Sequence, residues 1–367
     1  MIIMKLSRLQ HSSLLLLGFL LSFFVFSCQS EVSTEKQAET ETTETEEKID
    51  ESLKSSVKAN HLIETADVKA MYDEGKVFKV IEISKKDAFA KGHLPGAVNF
   101  WRPDYEGGGY EYGGMRASPE EMAALLGSNG ISADDFLVIY DTKGSVDAIR
   151  FMWMLDMYGH ENMAVMNGGK AAWKADGFEL TTEATKAEPV LYAFSKAPDY
   201  TRLASMEDVL AAMTDTNYIL LDTREPEEYQ GVPYVSKGVC YPYKKGAFTF
   251  GRIPGSIHLN WSDAVDLNGD HRFKSLKDLK YNFEKAGITP DKKVIAYCQS
   301  GVRSAHTTYV LTEILGFEDV RNYDGSWIEW SHNYINKGGV AIERDIDDAE
   351  HKKRFAELEA ELSKAAE

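Results

Sequence analysis

Short apolar runs alternate along the chain with stretches whose apolar residues recur at helical spacing. YILLD (218–222) and KVIAY (293–297) have strand length, carry β-branched and aromatic residues, and are bounded by turn formers, which predicts two strands. SLKDLKYNFEKAG (275–287) and RSAHTTYVLTEILG (303–316) have apolar positions three and four apart, and each closes on a glycine placed for a helix C-terminus. Strands alternating with helices predict an α/β fold: a mostly parallel sheet covered by helices on both faces. In such sheets ligands bind beyond the carboxyl ends of the strands. Cys298 stands at the end of KVIAY.

The same plan occurs twice. VIYDTKGS (138–145) aligns with IAYCQSGV (295–302), pairing Tyr140 with Tyr297, Asp141 with Cys298 and Gly144 with Gly301 at an offset of 157. The offset of 157 persists from Gly159 to Gly316, Gly168 to Gly325 and Trp173 to Trp330. Upstream, GHLPGAVNF (92–100) mirrors GRIPGSIHL (251–259) at 251 − 92 = 159, and KVIEIS (79–84) mirrors ILLDTR (219–224) at 219 − 79 = 140; the offset shrinks before an insertion at about 231–250. Several matches in one order at a nearly fixed offset indicate duplication. We therefore expect one domain at 61–183, a linker with two prolines at 184–200, a second domain at 201–340 and a charged helix at 341–367. That last helix has a thin apolar stripe at Phe355, Leu358 and Leu362.

A length of 367 residues suits two full cores. The formal charge of −17 excludes a phosphate-backbone partner, so no nucleic acid is expected. Lys5 and Arg8 precede an apolar run from Leu14 to Phe26, too short for a comfortable membrane span and suited to an export signal. The run ends in Val-Phe-Ser-Cys28, which resembles a bacterial lipobox and implies a signal at 1–28 and a lipid on Cys28. Residues 29–60 are rich in Thr and Glu and read as an unfolded acidic tether. The expectation is a protein of the cell envelope, lipid-anchored to a bacterial membrane with its domains in the periplasm or outside. Two cysteines then remain, Cys240 and Cys298, which is no disulfide framework.

After Cys298 come Gln299, Ser300, Gly301, Val302 and Arg303, a tight turn opening a helix. Successive N–H groups in such a turn converge into a nest, and the helix start adds unpaired donors and the positive end of its dipole. A thiol inside that nest is stabilised as thiolate, below its ordinary pKa. The same cradle can hold a persulfide or a bound anion. No His/Cys cluster suggests a metal, and no cofactor is expected.

LDTREPEEY (221–229), GRIPGSIHLNW (251–261), AYCQSGVRSAHT (296–307) and NYDGSWIEW (322–330) together resemble the tandem-domain rhodanese family, over about residues 62–335. The family comprises thiosulfate and 3-mercaptopyruvate sulfurtransferases. The resemblance implies two rhodanese-like domains, an inactive first one (Asp141 cannot carry sulfur) and an active second one. It implies that Cys298 takes a sulfane sulfur from a small anionic donor as a persulfide and yields it to a thiol or cyanide. Gln299, Ser300, Gly301, Val302 and Arg303 would bind the donor, with Arg303 supplying charge. Four residues separate Cys298 from Arg303; related phosphatases use five, a ring wide enough for phosphate. Thiosulfate is favoured over mercaptopyruvate, and a non-enzymatic sulfur carrier is the rival reading. Arg252 departs from the family's GHIPG, which the first copy keeps at His93.

Other residues invite plainer readings. Asp222 and Arg224 are expected as structural support at a strand end, Trp327 and Trp330 as wall or core, and His306 as packing. Asp324 is expected to cap the helix starting near Ser326. Cys240 reads as an incidental surface-loop thiol, with resolution of the persulfide as its alternative role. Lys244 and Lys245 read as solvated, with attraction of an anionic donor as the alternative.

Overall fold

The computed structural model describes residues 61–365. The export signal, Cys28 and the tether expected from the sequence lie outside the described residues. No helix among the described residues is long and apolar enough to cross a membrane.

The first copy builds strands β1 (Leu62–Ile63), β2 (Lys79–Ile83), β3 (Ala97–Phe100), β4 (Leu137–Asp141) and β5 (Met163–Met166), all parallel, in the order β1-β5-β4-β2-β3. Its helices are α1 (Thr65–Asp73), α2 (Lys86–Ala90), α3 (Pro119–Ser128), α4 (Val146–Tyr158) and α5 (Gly169–Ala175). In the second copy the sheet strands are β6 (Leu203–Ala204), β7 (Tyr218–Asp222), β10 (Ile257–His258), β11 (Lys293–Tyr297) and β12 (Val320–Tyr323). They too are all parallel, and their order β6-β12-β11-β7-β10 is that of the first sheet. The duplication read from the sequence is thus a duplication of topology. Its paired tyrosines do the same work: Tyr140 Oη accepts the N–H of Leu94 at 2.9 Å and Tyr297 Oη that of Ile253 at 3.2 Å, each pinning a G-x-x-P-G turn.

The central strands are largely apolar because both faces are covered; every residue of LVIYD in β4 and of VIAY in β11 is buried. Around the second sheet lie α6 (Met206–Ala212), α7 (Pro226–Gln230), α8 (Leu276–Lys285), α9 (Val302–Tyr309) and α10 (Ser326–Asn336). Ser275 caps α8 by accepting the N–H of Asp278, a contact whose loss costs about 1 kcal/mol. The chain after α9 adds one π turn, Val310–Ile314, before Gly316.

The two domains share a core. α4 packs against α9, and one buried cluster runs from Ile149, Phe151 and Met152 across to Ala305, Tyr309 and Val310. This explains why α4 is buried on nearly its whole circumference instead of along one stripe.

The insertion at 231–250 is not irregular. It forms a hairpin of β8 (Tyr234–Ser236) and β9 (Val239–Tyr241), turning at Lys237-Gly238, both at positive φ as such two-residue turns require. Cys240 therefore lies on a strand, partly exposed. The C-terminal helix α11 (Asp348–Ala365) packs on this hairpin. His351 stacks on Phe250 at 3.7 Å and bonds the Pro242 carbonyl at 2.8 Å. Arg252 holds the chain entering α11 through Glu343 at 3.0 Å and Asp345 at 2.7 Å. The departure from His thus sits in a structural turn.

Candidate active site

β11 delivers Cys298 to the carboxyl end of the second sheet, where it is 1% exposed. Gly301, at φ +75°, reverses the chain into α9, a conformation that favours glycine. Two sets of bonds fix the loop. The hydroxyl of Ser326 accepts the N–H of Cys298 (3.1 Å) and of Gly301 (3.0 Å) and donates to the Tyr323 carbonyl (2.7 Å). The first amides of α10, those of Trp327 and Ile328, take the carbonyls of Cys298 and Gln299 at 3.0 Å each. With those carbonyls drawn away, the amides of Ser300 and Ser304 are left to the sulfur.

The sulfur meets donors. Ser304 Oγ donates to Cys298 Sγ at 3.5 Å. Burial raises the thiol's pKa, but the Arg303 guanidinium, the Ser304 hydroxyl and the N–H groups of Ser304 and Ser300 outweigh it, and the net direction is down. Cys298 is thereby prepared to be an anion.

The first domain shows what such a loop does with an anion. Asp141, at the position of Cys298, turns its carboxylate into its own loop. Oδ1 accepts from Lys143 (2.8 Å) and Ser145 (3.0 Å), and Oδ2 from Asp147 (2.8 Å) and Ala148 (3.2 Å). Burial and the Asp147 carboxylate raise its pKa, the backbone donors offset part of the rise, and the net is about 6. Lys143 and Asp147 match Ser300 and Ser304, so equivalent amides serve a carboxylate in one loop and a sulfur in the other.

The remaining candidates are placed as follows. Arg303 spends both terminal nitrogens on Glu228 of α7, at 2.6 and 3.0 Å, so it reaches Cys298 through its field and not with a free fork. Glu228 is consequently held at about 2: burial raises it, and Arg303 more than offsets that. Gln299 is buried with neither side-chain amide atom hydrogen-bonded. Val302 packs with Val146, Trp261 and Val265. Asp222 and Arg224 form a buried pair (2.6 Å), and Arg224 also bonds the Gly251 carbonyl at 2.8 Å, tying the GRIPG turn to β7. Trp327 and Trp330 are core residues. His306 is fully buried between Trp261 and Phe273, and burial takes it down to about 3.

Asp324 corrects its expected role. It caps no helix; its carboxylate accepts the N–H and Nη1 of Arg116, both at 3.2 Å, and pairs with Arg150 Nη2 at 2.5 Å. Both arginines belong to the first domain. That domain also lays Gly114 against Ser300 so closely that a Cβ there would stand 2.7 Å from Ser300 Cβ. Arg102, 2.7 Å from Asp147, lies near enough to Cys298 to feel its charge. Sequence reasoning missed these residues because it treated the first copy as silent. One signal was available: Arg150 is the only cation within the otherwise apolar run AIRFMWML. Among the described residues no group of His, Cys, Asp and Glu is arranged to hold a metal.

Comparison with known proteins agrees with this architecture. A family model described as Rhodanese-like domain matches residues 64–176 and 205–333. The chain is 37% identical over 245 residues to the putative thiosulfate sulfurtransferase SseA of Mycobacterium bovis, covering 66% of this chain and 77% of that protein. It is 34% identical over 284 residues to the sulfur carrier protein TtuD of Thermus thermophilus, covering 74% and 93%. Among solved structures, the anaerobic ergothioneine biosynthesis enzyme from Chlorobium limicola, with trimethyl histidine bound, shares the fold at TM-score 0.64 and 24% identity, over 78% of this chain and 71% of that one. A duplicated parallel sheet, a cysteine in a cradle of amides and two matches to one family model have a single reading: this chain belongs to the rhodanese family, with two rhodanese-like domains in tandem.

Proposed function

We propose that this chain is a sulfurtransferase that uses thiosulfate as donor and Cys298 as its sulfur-carrying nucleophile. The Cys298 thiolate attacks the outer sulfur of thiosulfate. The donor's S–S bond breaks, its electron pair leaves with sulfite, and a Cys298 persulfide remains. A thiolate or cyanide then attacks the outer sulfur and restores the Cys298 thiolate. The N–H groups of Ser300 and Ser304 and the Ser304 hydroxyl stabilise charge on the sulfurs, and Arg303 and Arg102 supply a positive field that favours a dianionic donor. Gln299, Ser300, Gly301 and Val302 form the wall against which the donor is held. Asp222 and Arg224 support the strand end.

The observation that carries this reading is the thiol itself: buried, faced by the N–H groups of Ser304 and Ser300, and lowered in pKa in a loop whose twin already encloses a carboxylate. Three assays on one preparation test it: thiocyanate from thiosulfate and cyanide, pyruvate from 3-mercaptopyruvate, and hydrolysis of an aryl phosphate. The first should dominate, Cys298→Ala should abolish it, and intact mass should rise by one sulfur atom after thiosulfate treatment. Turnover in Cys298→Ala, or no sulfur on Cys298, would refute it. A dedicated carrier is the second reading, favoured by the relative named as a sulfur carrier; it predicts the same sulfur uptake with slow release to small thiols.

The same proposal places the domains, spanning 61–183 and 201–340, outside the cytoplasm on a lipid at Cys28. Cys28→Ser should release the protein from the membrane fraction; a wild-type chain recovered wholly in the soluble fraction would overturn the anchor.

A further inference from the structure

The half of the chain without a nucleophile reaches into the loop of the half that has one. Arg150, on the all-buried helix α4, is 2% exposed. Its guanidinium crosses the domain boundary. Nη2 pairs with Asp324 Oδ1 at 2.5 Å, and Nη1 donates to the Gly301 carbonyl at 3.5 Å. Asn322 Nδ2 donates to the same carbonyl at 3.2 Å, and the Ala305 N–H of α9 does so at 3.1 Å. A Cβ on Gly301 would stand 2.5 Å from Asp324 Oδ1 and 2.9 Å from Arg150 Nη1, so the ion pair rests directly on the turn of the Cys loop.

A buried ion pair is an expensive way to close an interface; apolar side chains of similar volume do so as well or better. What a guanidinium adds here is a directed donor to one carbonyl. The peptide bond is planar and trans, so a carbonyl and the N–H that follows it point in opposite directions. With the Gly301 carbonyl held by the Ala305 N–H, Asn322 and Arg150 together, the Val302 N–H faces the other way. The first domain shows the use of that amide: Ser145, the counterpart of Val302, donates to Asp141 Oδ1 at 3.0 Å.

We infer that Arg150, seated on Asp324, is a positioning residue for the Cys loop: it adds a hold from the first domain to a Gly301 carbonyl already bonded by Ala305 and Asn322, and so keeps the Val302 amide aimed at the sulfur bound to Cys298. This rests on the sulfurtransferase reading. It gives the first domain a part in the chemistry even though its own loop is closed by Asp141. Arg116 shares Asp324 but has no bond to Gly301, so it braces the carboxylate without directing the peptide.

The test compares Arg150→Met, Arg150→Lys and Arg116→Gln with wild type in the intact chain. Two readouts are used: sulfite released in a single turnover with thiosulfate, and the pH midpoint of Cys298 alkylation by iodoacetamide. Arg150→Met should slow sulfite release by about ten- to a hundredfold and move the midpoint to higher pH. Arg150→Lys keeps the charge beside Asp324 but cannot span both partners as a planar fork does, and should fall between. Arg116→Gln removes a cation from the same carboxylate and should leave both readouts near wild type. If all three variants melt at lower temperature while rate and midpoint are unchanged, the pair serves domain closure alone and the inference is overturned. Equal losses in Arg150→Met and Arg116→Gln would also overturn it, by assigning the effect to net charge. Should Arg150→Met fail to fold, Arg150→Lys carries the prediction; failure of both to fold counts against it. A wild-type protein that releases no sulfite sinks the sulfurtransferase reading instead, and the alkylation midpoints still judge the clamp.

Discussion

Glu228→Gln separates the electrostatics of the site from its shape. Glu228 is 3% exposed and takes two hydrogen bonds from Arg303, at 2.6 and 3.0 Å. Burial raises its pKa, but Arg303, with Arg224 and Lys244 behind it, takes it from 4.5 to about 2. A gap of that size is worth on the order of 3 kcal/mol when Glu228 is ionised. Because the folded-state pKa is depressed, the contribution is fully present above the unfolded value near 4.5 and drains away as pH falls through about 2. By pH 3 roughly 2 kcal/mol of it should be gone. Urea unfolding at pH 6 and pH 3, followed by tryptophan fluorescence, measures this in both proteins, and the other carboxylates are common to the two. Glu228→Gln should be less stable at pH 6, since it strands a buried guanidinium, at a cost of about 3–5 kcal/mol. Between pH 6 and pH 3 it should then lose about 2 kcal/mol less than wild type. Parallel losses would show that the pair does not set the Glu228 pKa, and the account of Arg303 as a charge held in place by Glu228 would fail.

Two further outcomes follow from the paired loops. With its pKa lowered, Cys298 should alkylate at a rate that climbs with pH and levels off below the range of an ordinary thiol; Ser304→Ala, which deletes the hydroxyl bonded to Sγ, should move that plateau up by about one pH unit. An unshifted profile would remove Ser304 from the cradle. Asp141→Ala leaves four inward amides without an acceptor and should cost the fold about 3 kcal/mol or more in thermal or urea unfolding, with sulfur uptake per folded molecule preserved; an unchanged transition would show the amides are satisfied elsewhere.

The parts of the fold that were legible in the sequence are those encoded by local pattern. Strands buried on both faces are largely apolar, so YILLD and KVIAY announce themselves, and the offset of 157 carries one topology onto two copies. The Cys loop was legible because a turn, a glycine and a helix start follow one another in sequence. What escaped was non-local. Nothing beside Asp324 indicates that its partners lie in another domain, at Arg116 and Arg150, so a local capping role looked sufficient. The hairpin at 234–241 escaped because its turn, Lys-Gly, is a weak signal and the strands flanking it are three residues each. Arg303 was expected to face a donor; its commitment to Glu228 depends on where α7 sits in the folded domain.

Asp141 has one more corollary. Peroxide does not oxidise a carboxylate, and a soft electrophile prefers a thiolate to it. Duplication has therefore not doubled the number of loops an inhibitor can poison: between the two, the chain presents one vulnerable atom. That atom belongs to a residue 1% exposed, so the agents that disable it must be slender.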